Sequence, residues 1–245
     1  MSTAQQAQPL FYKNVVPINK EQHGELCIEP VEGFEFANES SSLYIAAIEF
    51  AQAAKEYAIV FGKDNNDMVF PSVVLGLAAG ENLYVDEKGQ WDARYIPAYA
   101  RRYPFILARA SGAEQEQYTV CIDEGYSGFN TAKEGKPLFD ANGEQTEILS
   151  QAVDFLKEYQ NHVDLTRAFC ENLAKLDLLE PMTANIEMKS GEKLSIGGFF
   201  AVNRDKLKAL KPGKLADLVK TDQMELLYLH LQSLRNVNLL MEKRA

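Results

Sequence analysis

Three residues in the second half of the chain have the types that can bind a catalytic metal ion. His162 and Asp164 form a His-x-Asp motif, and His230 follows further along the chain. Two imidazoles and one carboxylate with open coordination positions are the ligands by which non-haem iron oxygenases hold Fe(II). One candidate function is therefore a metal-dependent oxygenase.

The surrounding sequence argues against this metal site. His162 and Asp164 lie in a segment whose apolar residues recur at helical spacing, and side chains two residues apart on a helix point in different directions. His230 lies between Leu227 and Leu234, a context typical of a semi-buried helix histidine. We therefore interpret the histidines as structural and expect no metal and no cofactor, with the iron oxygenase as the alternative.

The densest group of binding side chains lies in RYIPAYARRYPFILA, residues 94–108. Pro97 and Pro104 predict a rigid connection with at most a short turn of helix between them. Arg101 and Arg102 can each hold a carboxylate or phosphate through paired hydrogen bonds, and the tyrosines beside them can bury rings while keeping polar tips available. Because two adjacent guanidinium groups in one closed core would repel, we expect one to pair with an internal carboxylate and the other to remain available.

Three carboxylates are candidates for acid–base chemistry. Asp123 and Glu124 end the predicted strand TVCID at a Gly-rich loop, a common place for functional side chains. An exposed strand end in an acidic protein gives the same pattern, and we prefer that interpretation. Glu49 shares the polar side of a predicted alanine-rich helix with Gln52 and Glu56, so it is interpreted as solvated.

Composition excludes several classes of protein. The net charge of −10 repels nucleic acid phosphates, and no run of apolar residues is long enough to cross a membrane. No GxSxG, GxGxxG or Walker motif is present. Cys27, Cys121 and Cys170 are scattered without CxxC spacing, which argues against a disulfide framework or a zinc cluster. These features predict a soluble protein of the reducing cytoplasm.

The order of elements predicts an α+β fold. Short alternating runs in the first half predict a mainly antiparallel sheet, and apolar residues at helical spacing from Glu144 to Leu179 predict long helices in the second half. NIEMKSGEKLSIGGFFAVN then predicts a late β-hairpin, and Asp222 and Glu225 have capping-box spacing. We expect a single domain over residues 1–245, with a flexible tail at 1–9 and a possible subdivision near 125–143.

Four stretches together resemble the bacterial SapC-like family over nearly the whole chain. They are EFAQAAKEYAIVF, LGLAAGENLYVDEKGQWDARYIPAYARRYPF, PLFDANGEQTEIL and GGFFAVNRDKLKAL. The most specific part is Trp-x-x-x-Tyr-Ile-Pro followed by Arg-Arg-Tyr-Pro-Phe. The chain departs from the family pattern at Ala58, where proline is expected, and at His23, where a basic residue usually follows.

The resemblance implies little about function. The family takes its name from an association with bacterial surface-layer proteins, and members are often labelled as components of peptide transport, but this chain has no apolar span that could make it a permease, so we set that label aside. The family supplies no catalytic residues to carry over to this chain. The signature and its flanking tyrosines are candidates for binding a peptide, a protein partner or another anionic or aromatic ligand, and they are Trp91, Tyr95, Tyr99, Arg101, Arg102, Tyr103 and Phe105. The alternative is that the signature residues determine the fold and bind nothing. The favoured function is a non-catalytic accessory or binding protein.

Overall fold

The computed structural model describes residues 9–29, 31–109, 118–187, 191 and 193–244. The flexible tail expected at residues 1–9 lies outside this part of the chain except for Pro9, and Ser190 of the predicted hairpin turn also lies outside it.

Short strands and helical turns make up the first half of the chain. In order they are β1 (Val15–Pro17), α1 (Lys20–His23), β2 (Cys27–Ile28), β3 (Ser42–Tyr44), α2 (Phe50–Ala53), β4 (Ala58–Lys63), β5 (Val69–Val74), α3 (Ala98–Arg101), β6 (Phe105–Arg109), β7 (Tyr118–Asp123), β8 (Phe129–Asn130) and β9 (Lys136–Pro137). Short 3-10 turns occur at Glu35–Ala37 and Ala47–Glu49.

Longer elements make up the second half. They are α4 (Glu147–Lys175), β10 (Leu179–Glu187), β11 (Lys193–Val202), α5 (Arg204–Lys208), α6 (Pro212–Lys220), α7 (Gln223–Ser233) and α8 (Val237–Arg244), with a 3-10 turn at Leu234–Asn236. The predicted long helix is confirmed as a single helix of 29 residues, and the late hairpin is confirmed as the antiparallel pair β10 and β11.

The described strands form antiparallel sheets, which confirms the predicted α+β class. Two sheets have three strands each, in the orders β1-β7-β6 and β8-β2-β9. The third has five strands in the order β10-β11-β4-β5-β3, so the late hairpin joins strands from the first half of the chain.

The chain divides into two compact units, each made of two separate stretches. The first unit is Met1–Gly33 with Arg101–Gln160, and the second is Phe34–Ala100 with Asn161–Ala245, each taken over its described residues. The boundaries between these stretches lie outside residues 125–143, the possible subdivision that the sequence suggests. The expectation of one interdependent domain stays a prediction.

Each unit has its own core. In the first unit, buried side chains from the two small sheets pack with the early part of α4, and they include Phe105, Ile122, Leu138, Leu149 and Leu156. In the second, Phe50 packs edge-to-face against Phe169 of α4, and Phe61 of β4 contacts both Phe169 and the ring of His230. The apolar faces predicted from spacing therefore become interior surfaces of the units.

Two local predictions are wrong. The single alanine-rich helix is replaced by β3, a 3-10 turn and the four-residue α2, because Leu43 pairs with Val73 of β5 as a strand residue. The capping box at Asp222 is absent, because Asp222 adopts a left-handed conformation (φ 57°) in the connection between α6 and α7 and its side chain makes no capping hydrogen bond. In both cases contacts or backbone geometry in the folded protein outweigh the structure that the local sequence favours.

Candidate functional site

Asp123 is a fully buried carboxylate at the end of β7, in the first unit. Its Oδ1 accepts hydrogen bonds from the backbone N–H groups of Asn14 (2.8 Å) and Gly125 (3.0 Å). Its Oδ2 accepts from the backbone N–H of Lys13 (2.9 Å) and from the Tyr103 hydroxyl (3.2 Å). The interpretation of Asp123 as an exposed strand end is therefore wrong, since this carboxylate provides acceptors for backbone donors at the end of β7, the central strand of the β1-β7-β6 sheet.

The Tyr103 hydroxyl is a neutral hydrogen-bond donor to this carboxylate. Burial raises the pKa of Tyr103 well above its ordinary value, and the negative charge of Asp123 raises it further. Glu124, the next residue, lies nearer the surface, where it accepts from the Asn14 side chain (2.8 Å) and lies 3.4 Å from Nε2 of the buried His23. The two adjacent acidic residues therefore lie in different environments, Asp123 in the interior and Glu124 at the surface.

The two consecutive arginines lie over aromatic rings of the same unit. The Arg101 guanidinium is 5.3 Å from the ring centroid of Phe155. The Arg102 guanidinium is 5.3 Å from the ring of Tyr159 and 5.8 Å from the ring of Tyr12. Phe155 and Tyr159 are four residues apart on α4, so their rings stack on one face of the helix, with centroids 6.5 Å apart. Helix periodicity therefore supplies one ring to each arginine.

Tyr12 and Tyr103 complete this group. The Tyr12 hydroxyl donates to the carbonyl oxygen of Phe105 (2.8 Å), and the two tyrosine rings meet edge-to-face at 5.2 Å. We call the group the Arg–aromatic cluster, and its members are Tyr12, Arg101, Arg102, Tyr103, Phe155 and Tyr159. The helical spacing of apolar residues that predicts α4 includes Phe155 and Tyr159, whereas no spacing links Tyr12 to the arginines, so the sequence does not predict its place here.

Glu49 is the corresponding buried carboxylate of the second unit. It is 4% exposed, and its Oε1 accepts from the Tyr95 hydroxyl (2.7 Å) and the backbone N–H of Ala98 (2.8 Å). Its Oε2 accepts from the backbone N–H of Ala46 (2.7 Å). The interpretation of Glu49 as a solvated side chain is wrong, because the helix that would have turned it outward does not form.

A chain of hydrogen bonds fixes the Trp-Tyr-Ile-Pro part of the segment in the second unit. The Trp91 indole N–H donates to the Tyr57 hydroxyl (2.8 Å), which in turn donates to the carbonyl oxygen of Tyr95. The carboxylate of Glu56 accepts from the backbone N–H groups of Arg94 and Tyr95. Burial raises the pKa of Tyr57 well above its ordinary value, so its hydroxyl remains a donor.

A model of the SapC family matches residues 18–240, nearly the whole chain. The chain belongs to the SapC family. It has no match among curated proteins and none among solved structures. Within the described residues of this SapC-family protein, no helix is long and apolar enough to span a membrane.

The structure divides the residues nominated from the SapC signature between four settings. Arg101, Arg102 and Tyr103 come together in the Arg–aromatic cluster, where Arg101 is exposed and Arg102 is half-buried. Trp91 and Tyr95 belong to the hydrogen-bond network of the second unit. Phe105 lies in the core of the first unit, and Tyr99 is half-buried on the short helix α3. The internal carboxylate expected for one arginine stays a prediction.

The candidate iron ligands of the SapC-family chain do not form a site. His162 and Asp164 are two residues apart within α4, as the spacing predicted. His230 is fully buried, where its Nδ1 donates to the carbonyl oxygen of Ile59 (2.9 Å) and its Nε2 accepts from the backbone N–H of Val202 (3.0 Å). Burial lowers its pKa to about 4. The described residues contain no group of three His, Cys, Asp or Glu side chains placed to hold a metal ion.

Proposed function

We propose that this SapC-family protein is a soluble, cytoplasmic, non-catalytic binding protein that recognises an acidic peptide containing aromatic residues. The observation that carries the proposal is the placement of two consecutive guanidinium groups over the rings of Phe155, Tyr159 and Tyr12. Guanidinium groups pair with carboxylates through two parallel hydrogen bonds and stack on aromatic rings, which is the chemistry that an acidic peptide with aromatic residues requires.

The aromatic rings help to position the positive charges. A ring face attracts a guanidinium group through its π electrons, and this attraction helps to fix where the positive charge lies. Arg101 is exposed at the surface, where a protein contact can be exchanged for a ligand at small cost. Arg102 is half-buried between the rings of Tyr12 and Tyr159 and holds its place more firmly.

The backbone beneath the arginines is also anchored. The hydroxyl of Tyr103, the next residue, donates a hydrogen bond to the buried Asp123. Phe105 follows in β6, and its carbonyl oxygen accepts a hydrogen bond from the Tyr12 hydroxyl. A binding group on a fixed backbone loses little conformational entropy when the ligand arrives. The hydrophobic and hydrogen-bonded parts of the signature therefore support its two arginines.

A fluorescence anisotropy titration tests the proposal. The probe is a fluorescein-labelled peptide in which aspartate alternates with phenylalanine, and a lysine-for-aspartate peptide serves as the ligand control. We expect Arg101→Ala to weaken binding about tenfold and Arg101→Lys to restore part of it, since lysine keeps the charge but loses the planar pair of donors. The matched variant is Arg204→Ala, which removes another arginine that lies over a tyrosine ring, that of Tyr228.

Equal binding of the acidic and basic peptides would overturn the proposal. So would an equal loss of affinity in the Arg101 and Arg204 variants, because that result indicates general attraction to positive charge. Melting curves of each variant confirm that the comparison is made between folded proteins.

A further inference from the structure

A cavity of about 150 Å³ lies in the second unit, between the later part of α4 and the start of β5. The α4 residues that line it follow helical spacing on one face, and they are Val163, Thr166, Arg167 and Cys170. None of the lining residues belongs to the Arg–aromatic cluster, so this cavity is a separate candidate for binding.

The volume of the cavity limits the size of its ligand. A protein cavity of about 150 Å³ accommodates one benzene molecule, whereas drug-sized ligands occupy roughly 300 Å³ or more. The cavity therefore fits a single six-membered ring with a small substituent.

The walls of the cavity favour an apolar ring. Strand β5 contributes Val69, Phe70 and Pro71, and α4 contributes Val163 and the buried Cys170. Burial raises the pKa of Cys170 to about 12, so its thiol stays protonated and packs as a small apolar group.

Arg167 gives the cavity a positive charge. Its Nη1 lies 3.5 Å from the carboxylate of Asp164, and both side chains are about two-fifths exposed (42% and 41%). An exposed ion pair of this kind is weak, so a ligand carboxylate can replace the aspartate. The acidic lining residue Asp64 is directed to its own turn, where Oδ1 accepts from the backbone N–H groups of Asn66 and Met68.

The other polar group supplied by α4 is already committed. The Thr166 hydroxyl accepts from the backbone N–H of Ala47 (2.8 Å) and donates to the carbonyl oxygen of His162 (2.6 Å). A ligand that demanded several new hydrogen bonds would have to break these contacts. One carboxylate directed at Arg167 requires no such change.

We propose that this cavity binds a single-ring aromatic carboxylate, with the ring between β5 and α4 and the carboxylate at Arg167. Such a ligand matches the cavity in volume and in its apolar walls, and its carboxylate matches the cationic lining residue Arg167. The site is independent of the peptide-binding function proposed above.

Titration calorimetry with benzoate tests this site, with benzyl alcohol as a neutral ligand of similar size. Benzoate should bind saturably below roughly 10 mM, as expected for a ligand of so few atoms. Arg167→Gln should weaken benzoate binding about tenfold and leave benzyl alcohol nearly unchanged. Val163→Phe should abolish binding of both by filling the cavity, and Val163→Leu, a smaller change, should weaken both in a protein that keeps its melting curve.

Two controls separate this proposal from the peptide site. Arg204→Gln, an arginine of the same unit that does not line the cavity, should bind benzoate like the unaltered protein, and so should Arg101→Gln. No saturable binding of benzoate, or equal binding after Val163→Leu, would overturn the proposal. Loss of benzoate binding in Arg101→Gln but not in Arg167→Gln would place the ligand at the Arg–aromatic cluster and overturn it as well.

Discussion

Asp123 in the first unit and Glu49 in the second are both buried carboxylates that satisfy backbone N–H groups, but their hydrogen-bond donors differ. Each is a buried carboxylate that accepts backbone N–H groups and one tyrosine hydroxyl. Each tyrosine belongs to the signature segment and precedes one of its prolines: Tyr103, which donates to Asp123, stands directly before Pro104, and Tyr95, which donates to Glu49, stands two residues before Pro97. The two halves of the segment are therefore anchored separately, each within its own unit.

The two carboxylates differ in how their donors are shared. Each oxygen of Asp123 accepts two hydrogen bonds, and three of the four donors are backbone N–H groups. For Glu49, Oε2 accepts from the backbone N–H of Ala46, and Oε1 accepts from the Tyr95 hydroxyl and the backbone N–H of Ala98. An amide side chain of the same shape keeps one accepting oxygen and replaces the other by an NH₂ group. The same chemical change should thus be felt more strongly at Asp123.

The largest effect is expected for Asp123→Asn. An NH₂ group in place of Oδ1 opposes the backbone N–H groups of Asn14 and Gly125, and in place of Oδ2 it opposes that of Lys13, while the Tyr103 hydroxyl can turn to accept. With the loss of a charged acceptor for the remaining N–H groups, the change should cost about 3 kcal/mol of unfolding free energy. Denaturant titration measures the loss, and hydrogen exchange should speed up at residues 12–16. The matched change Asp140→Asn, an exposed aspartate that accepts N–H groups of its own turn, should have far less effect, and equal losses would contradict the prediction.

Acid should destabilise the second unit because His230 is buried in its neutral form. Its pKa is about 4 in the folded protein against 6.5 when unperturbed, so the unfolded chain binds the extra proton first as the pH falls. The stabilisation is complete above pH 6.5 and is lost progressively towards pH 4, by ~3 kcal/mol in all. His230→Gln can donate to Ile59 and accept from Val202 without titrating, so its stability should fall less over this range. Parallel stability profiles for the two proteins would contradict this account.

Glu49→Gln should have a smaller effect than the change at Asp123. The amide oxygen can accept from Tyr95 and Ala98, so the Ala46 N–H is the donor left facing an NH₂ group. We expect a loss of ~2 kcal/mol, with faster hydrogen exchange confined to residues 44–50 and 95–100. A loss as large as that of Asp123→Asn would show that counting donors per oxygen does not explain the difference between the two sites.

The smallest effects are expected for the tyrosine hydroxyls. Tyr95→Phe should cost ~1.5 kcal/mol and Tyr103→Phe ~0.5 kcal/mol, because the first hydroxyl lies 2.7 Å from its carboxylate and the second 3.2 Å. Paired denaturant titrations measure both values. If the order is reversed, the longer contact in the first unit is the stronger anchor.

Sequence periodicity was enough to predict the larger elements. Apolar residues at helical spacing predicted α4, alternation predicted the β10–β11 hairpin, and two prolines predicted the short turn that became α3. The resemblance to the SapC family was confirmed over residues 18–240. Each of these features depends on residues that are close in sequence or on a pattern that extends along the chain. One sequence is therefore enough to predict them.

The anchoring carboxylates could not be predicted in this way. Asp123 accepts from Lys13, which is 110 residues earlier in the chain, and Glu49 accepts from Ala98, 49 residues later. No spacing rule connects such positions. The same holds for the ring of Tyr12 beside Arg102 and for the cavity lined by Arg167, since both depend on strands and helices meeting after the chain has folded.

The interleaving of the two units along the chain has a consequence for synthesis on the ribosome. Residues up to Gly33 must wait for residues 101–160 before the first unit contains all its parts, and Phe34–Ala100 must wait still longer for the stretch after Asn161. Strand β1 pairs with β7, so its partner is made more than a hundred residues later. Emerging segments therefore spend much of translation without their partners, exposed to chaperones and proteases. A stop codon shortly after residue 160 would leave residues 34–100 without the second half of their unit.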